Sequence, residues 1–362
     1  MHSESVTLGE RMTLLPVDES AVQSPPSYTV VSTTECFQTM MEDLRQTARM
    51  AVDIEADSLY HYFEKVCLIQ ISTDCNTYIL DPLVNIGIPD LAPLMSNPAV
   101  EKVFHASGYD VYCLRRDYGF AFANIFDTHL AAQLLGYEFL GLSALMEKLL
   151  GIYHSKGRQR DDWSHRPLVS EQLEYAAMDT HHLLRLRDAL EMELRQKGRL
   201  SWAIEEFEMA AAIERPEKEF DTEGFRRIKG HRELSLQDQT ILRALYLFRD
   251  QVARKLDVPP FKVMNNSVLL DLVRKPPLLA REMFDRPGIS YRVARKYAAD
   301  ILKTIAEAQQ QDPSILEVPA SIHFKPPNRA ARLRLEALKH WRREKAKELN
   351  LQVGVVFPAN LL

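Results

Sequence analysis

Strand-forming runs crowd into one part of this chain and then stop. RMAVDIEA (49–56), VCLIQIST (66–73) and TYILD (77–81) are rich in Val, Ile, Leu and Tyr and are bounded by turn formers, as strands are. A shorter run, EKVFHA (101–106), follows Asn97-Pro98, and NIFDTHLAAQLLG reads as a short strand passing into a helix. Helices are expected near 34–46, 109–118 and 141–150, and from Ser170 to about Gln196. Strands followed by alternating strands and helices give an α/β domain with a mixed sheet. After about residue 200 the strand signal is gone. Helical periodicity takes over at 200–215, 235–256, 266–273, 278–284, 290–309 and 328–349, punctuated by prolines at 259–260, 276–277 and 287. A chain of 362 residues, 46% of them hydrophobic, accommodates two or three domains.

Charge divides at nearly the same place. Residues 1–224 carry 19 Lys and Arg against 36 Asp and Glu, a balance of −17, whereas residues 225–362 carry 26 against 14, or +12. The basic half suits a polyanion. The acidic half suits one only with metal ions screening its carboxylates; otherwise both halves simply carry solvated charge. No apolar run reaches the roughly 18 residues of a membrane-spanning helix, and the first residues, MHSESVTLGERMT, lack the basic-then-apolar pattern of a signal peptide. Cys36, Cys67, Cys75 and Cys113 are scattered without metal-ligand pairing, which reads as free thiols in a reducing cytoplasm.

The helical half contains a repeat. A shift of 93 residues aligns LRALYLFRDQVARKLDV (242–258) with LEALKHWRREKAKELNL (335–351). Leu242, Ala244, Leu245, Arg249, Ala253 and Leu256 recur as Leu335, Ala337, Leu338, Arg342, Ala346 and Leu349, and Phe248 is matched by Trp341. This points to a duplicated unit whose second copy is read as truncated or vestigial.

Four acidic residues, at three places in the chain, are candidates for chemistry. Asp53 and Glu55 lie two apart on a strand, so both carboxylates leave the same face while Val52 and Ile54 enter the core. Adjacent carboxylates on an apolar strand are costly unless a cation neutralises them, and an oxygen-only set favours Mg²⁺ or Mn²⁺ over zinc. The plain alternative is that such a pair faces water at a strand end. Tyr175 and Asp179, four apart, share one helical face. The small residues between them suggest a closely packed helix with Asp179 turned inward. Asp110 follows a strand across Ser107-Gly108-Tyr109, where it either favours a helix dipole or joins a site at the strand end. Asp127 reads as a helix N-cap.

In order and spacing, VDIEADS, CLIQIST, HASGYDVYCL, FDTHLAAQLLG, DDWSHRPL and YAAMD resemble the ribonuclease D family, the DEDD exonucleases with tyrosine in the last motif. RRDYGFAFANIFDTH is similar to the nuclear exosome's exonuclease of the same superfamily. Residues 228–312 resemble the helicase-and-ribonuclease-D C-terminal (HRDC) domain, and 328–362 the opening of a second one. The resemblance implies a ribonuclease-H-like α/β domain, with a mixed five-stranded sheet flanked by helices, followed by all-α HRDC bundles. The expected division is a leader (1–29), an exonuclease domain (30–200), a helical linker (201–227), an HRDC domain (228–312), a linker (313–327) and a partial second unit (328–362). Ile54 stands where many members have Thr, and Ala56-Asp57 also departs from the family, but no ligand position is lost.

By matching position, Asp53, Glu55, Asp110, Tyr175 and Asp179 are the catalytic residues, and the four carboxylates hold two divalent ions, Mg²⁺ or Mn²⁺. In a two-metal scheme Asp53 bridges the ions, Glu55 and Asp179 complete one site, Asp110 holds the other through water, and Tyr175 orients the attacking water. His105 either contacts substrate or steadies the Asp110 turn; as a satisfied structural histidine it does neither. Lys156, Arg158 and Arg166, with Arg160, form a basic stretch before the catalytic helix, read as phosphate contacts or as a solvated loop. Gln159, Trp163 and Arg166 match family positions there, and Trp163 either stacks a base or packs beneath the loop. Arg249, Arg254, Lys255 and Lys262 are candidates to grip phosphates from the helical module. The expected activity is 3′→5′ hydrolysis of RNA by a cytoplasmic monomer, with single-stranded 3′ ends such as those of tRNA precursors as substrates. DNA is the rival polymer, because the same ligands cut both. A catalytically silent scaffold is the rival class, opposed by five intact site residues.

Overall fold

A computed structural model describes residues 26–155, 157–212, 219–313, 316 and 328–361. Its first part is built on β1 (Thr29–Val31), α1 (Thr34–Leu44), β2 (Arg49–Ala56), β3 (Val66–Ser72), β4 (Thr77–Leu80), α2 (Ala92–Ser96), β5 (Glu101–Phe104), α3 (Gly108–Tyr118) and β6 (Ile125–Asp127). It continues through α4 (Thr128–Leu135), α5 (Leu142–Leu150), α6 (Ser170–His181), α7 (Leu183–Gln196) and α8 (Leu200–Ala212). The sheet order is β1-β4-β3-β2-β5-β6. β2, β3 and β4 form an antiparallel meander, whereas β1, β5 and β6 pair in parallel with β4, β2 and β5.

The sheet therefore has six strands, not the five expected. The addition is β1, three residues at the edge of the expected leader, too short to show a period of its own. The helix expected over 170–196 is also two helices, broken at His182, where φ is −105° and ψ is 3°. The break lets α6 lie over β2 and β3 while α7 packs against α4 and α5.

β2 is the axis of this domain. Met50, Val52 and Ile54 enter one apolar core with residues of α1 and α3, and Ala51 enters another, on the opposite face, with residues of α4 and α7. Asp53 and Glu55 share the Ala51 face by alternation. Opposite them on β3 stand Gln70 and Leu68. α6 can approach this face closely because Ala176 and Ala177, both fully buried, replace larger side chains. Ser72 reinforces the approach, donating from Oγ to Thr180 Oγ1 at 2.7 Å.

The second part is helical: α9 (Leu236–Leu256), α10 (Pro260–Val263), α11 (Asn266–Arg274), α12 (Tyr291–Gln310), α13 (Arg329–Leu349) and α14 (Val353–Val356). The 93-residue repeat reappears in three dimensions. α9 and α13 each have 21 residues, α10 and α14 each have 4, and their matching corners, Asp257 and Asn350, are left-handed at φ 48° and 51°. Arg249 and Arg342 both bond a carbonyl beyond the corner, of Met264 and Val353 respectively. Among the described residues no helix is long and apolar enough to cross a membrane.

The close seat of α6 gives a direct test. Ala176→Leu should overpack the interface and destabilise the fold by about 1–3 kcal/mol, read from urea unfolding. An unchanged unfolding midpoint would mean that α6 does not sit on the strands as described.

Candidate metal centre and active site

Strand alternation and helix seating converge on one point. Carboxylate oxygens of Asp53, Glu55 and Asp179 all lie within 4.8 Å of one another. Such a cluster is electrostatically unfavourable by itself. Burial pushes Asp53, Glu55 and Asp110 well above the ordinary carboxylate range, and the neighbouring carboxylates add to the shift. Burial also raises Asp179, against the opposing pull of His154. The donor set is all oxygen and strongly anionic, which fits a hard divalent cation. Asp110 is in the first turn of α3, buried, and close enough for Asp53 and Asp179 to raise its pKa, yet it lies outside the tight triad.

Asp127 sets where Asp110 begins. It caps α4 by accepting from the N–H groups of His129 and Leu130. It also accepts from the Ala106 and Ser107 N–H groups, at 3.1 and 2.8 Å, and from Ser107 Oγ at 2.8 Å. Ala106 has a φ of 61°, unusual for a residue with a Cβ. A cap was expected here; its second grip, on the turn that delivers Asp110, was not.

His154, which no sequence motif marks, also belongs to this site. Its Nε2 is 2.8 Å from Asp179 Oδ1, and its ring lies 5.1 Å from that of Tyr175. Only 6% of the residue is exposed. A hydrogen-bonding neighbour of this kind fixes a ligand's orientation. The loop before α6 carries two histidines, His154 and His165, and nothing in their spacing singles out either. Tyr175 also packs on Trp163, with ring centroids 6.1 Å apart.

The other candidate residues divide sharply. His105 accepts or donates at Nδ1 with Thr128 Oγ1 at 2.9 Å, and burial pushes its pKa down to about 4, so it is a satisfied neutral histidine. Trp163 is 1% exposed, which leaves no face for a base, so it packs beneath the loop. Arg166 pairs with Asp81 through two nitrogens and donates to the carbonyls of Cys67, Trp163 and His165. Its guanidinium is a structural clamp and not the expected phosphate contact. Arg158 pairs with Asp161 at 3.2 Å, Gln159 is exposed, and Lys156 lies outside the described residues. In the helical module Arg249 is buried on Met264 and Asn266, which removes it from the candidate phosphate contacts.

Comparisons with known proteins agree with this geometry. The 3′-5′ exonuclease family matches residues 28–195, and the HRDC domain family matches 238–305. The chain belongs to the ribonuclease D family. Ribonuclease D of Zymomonas mobilis is 35% identical over 250 residues, which cover 67% of this chain and 62% of that protein. The exosome complex exonuclease RRP6 of Saccharomyces cerevisiae is 31% identical over 267 residues, 68% of this chain but 36% of that protein. The chain thus spans less than two thirds of either relative. Among solved structures, the catalytic core of RRP6 from Trypanosoma brucei superposes with a TM-score of 0.70 at 26% identity, covering 81% of this chain and 85% of that one.

The raised carboxylates give a signed prediction. Folding tightens their hold on protons, so the stability they contribute is present below the unfolded carboxylate pKa of about 4 and is lost as pH rises through the folded values. Metal-free protein should therefore have a higher Tm after Asp53→Asn at neutral pH, whereas divalent ions should stabilise the unsubstituted chain. A lower Tm for the metal-free variant would contradict this. A second prediction concerns His154: His154→Ala should weaken Mn²⁺ binding by about 10–100-fold in calorimetry, with circular dichroism unchanged. Unaltered affinity would remove His154 from the site.

Proposed function

We propose that this chain is a 3′→5′ exoribonuclease that hydrolyses RNA from its 3′ end and releases nucleoside 5′-monophosphates. The reading is carried by the meeting of Asp53, Glu55 and Asp179 within 4.8 Å, inside the region that matches the exonuclease family. The names of the relatives, ribonuclease D and an exosome exonuclease, favour RNA over DNA. Residues 30–200 are the catalytic domain and 228–312 the HRDC domain, whose first two helices recur as α13 and α14.

Asp53, Glu55 and Asp179 would hold Mg²⁺ or Mn²⁺, and Asp110 adds a fourth charge from the start of α3. When bound, such ions supply an activated water and neutralise charge on the scissile phosphate. Tyr175 acts by orientation. Burial, helped by Asp179, Glu55 and Asp53, raises its phenol further above its usual range, so it keeps its proton and donates it as a hydrogen bond. His154 and Trp163 hold that ring in place, and His154 holds Asp179. The substrates that suit this assembly are single-stranded 3′ ends, such as the trailing ends of tRNA precursors.

The test is degradation of matched 5′-labelled single-stranded RNA and DNA with Mg²⁺ or Mn²⁺. RNA should shorten from its 3′ end and yield 5′-monophosphates. Asp53→Asn and Asp179→Asn should each abolish hydrolysis while RNA binding persists. Hydrolysis in excess chelator, or a fully active Asp53→Asn protein, would sink the assignment; faster loss of DNA would transfer it to the other polymer.

A further inference from the structure

The segment joining β2 to β3 begins just past Glu55, and it touches three other parts of the molecule. Toward α3, Tyr109 Oη donates to Glu64, and Arg116 pairs with Glu64 at 2.7 Å; Tyr109 is the neighbour of Asp110. Toward the loop that precedes α6, Tyr60 Oη donates to the Arg160 carbonyl at 2.7 Å, and His61 Nε2 bonds Ser164 Oγ at 3.0 Å. Ser164 follows Trp163, on which Tyr175 rests. The third contact is with the helical module.

That third contact centres on Asp257, the left-handed corner that ends α9. Its Oδ1 accepts the N–H groups of Tyr62 and Phe63, both at 3.1 Å, and its Oδ2 bonds His61 Nδ1 at 2.7 Å. Flanking contacts extend the seam: Tyr62 Oη donates to Asp250 at 2.6 Å, and Lys262 lies over the Tyr60 ring at 4.0 Å. One carboxylate of the helical module therefore organises three consecutive residues of a loop that reaches both sides of the carboxylate cluster.

The repeat supplies an internal comparison. Asn350 occupies the equivalent corner, and it too lies against the catalytic domain. There Arg199 donates to the Leu349 carbonyl, and the Asn350 carbonyl oxygen approaches Gly136 so closely that a Cβ there would lie only 2.1 Å from it. Those contacts use backbone carbonyls and lie at the end of α4. The corner is thus used twice for docking, but only Asp257 applies its side chain to the segment beside the site.

We propose that Asp257 is a positioning residue for the nuclease site, and that through the β2–β3 segment it makes hydrolysis depend on the helical module even for substrates too short to lie on that module. This rests on the nuclease reading above. A docked segment that fixes both neighbours of the cluster acts on geometry, and small displacements there cost rate more than affinity.

The experiment uses the full chain with a trinucleotide and a long single-stranded RNA. Asp257→Gly keeps the left-handed corner, which glycine tolerates, and removes the carboxylate. It should lower kcat on the trinucleotide on the order of tenfold or more, with KM nearly unchanged, and should speed hydrogen exchange at the Tyr62 and Phe63 amides. Asp257→Asn retains an acceptor for those amides and should restore most of the rate. His61→Leu cuts the bridge from Asp257 to Ser164 while leaving the Asp257 corner and its hold on the Tyr62 and Phe63 amides in place, and should reproduce part of the loss, which covers the case of a poorly folded glycine variant. A wild-type kcat in both Asp257→Gly and His61→Leu, or a defect confined to KM on the long RNA, overturns the proposal. An unsubstituted chain that cuts neither RNA overturns the nuclease reading itself.

Discussion

Everything in this structure is arranged around carboxylates that repel one another. Asp53 and Glu55 leave a strand whose other face is fully apolar, and Asp179 is brought to them by a helix seated on two alanines. Desolvation by the surrounding protein raises their pKa values, and each neighbouring negative charge adds to the shift. The fold tolerates this because the surrounding packing is over-determined: core clusters on both faces of β2 hold the strand, and Ser72 with Thr180 holds the helix. A divalent cation would convert the same arrangement from a liability into a binding site, which is what supports the proposed metal-dependent hydrolase over a passive scaffold.

Around the cluster are residues that touch no phosphate in this account and yet decide where the ligands stand. Asp127 ties the Ala106–Ser107 turn and so begins α3 at the right place for Asp110. His154 orients Asp179 and shields one side of Tyr175. Arg166 fastens the loop before α6 to Asp81 and β3. The raised phenol of Tyr175 leaves it as a donor, so in the proposed mechanism activation of water would be supplied by the bound ions.

Much of this was legible in the sequence because the relevant periods are short. Two-residue alternation placed Asp53 and Glu55 on one face, and four-residue helical spacing placed Tyr175 with Asp179. The parts that were not legible lack a period. β1 is three residues long and is defined by its pairing with β4, not by its own pattern. His154 lies in an irregular loop, where nothing in the spacing points toward Asp179, twenty-five residues later. Arg166 and Arg249 show the opposite failure. A basic residue near a nuclease site looks the same in sequence whether it faces phosphate or a buried carbonyl, and here both face protein acceptors. The repeat was visible as matched apolar positions, but its shared arginine proved to be a brace for the corner that follows it and not a phosphate contact.

The central claim is that Asp53, Glu55 and Asp179 form one metal-binding centre. Anomalous diffraction from crystals soaked in Mn²⁺ tests it most directly. The account predicts a manganese peak in contact with oxygens of all three side chains, and its loss in Asp179→Asn crystals. Manganese found only elsewhere on the protein, or an unchanged peak in the variant, would contradict it.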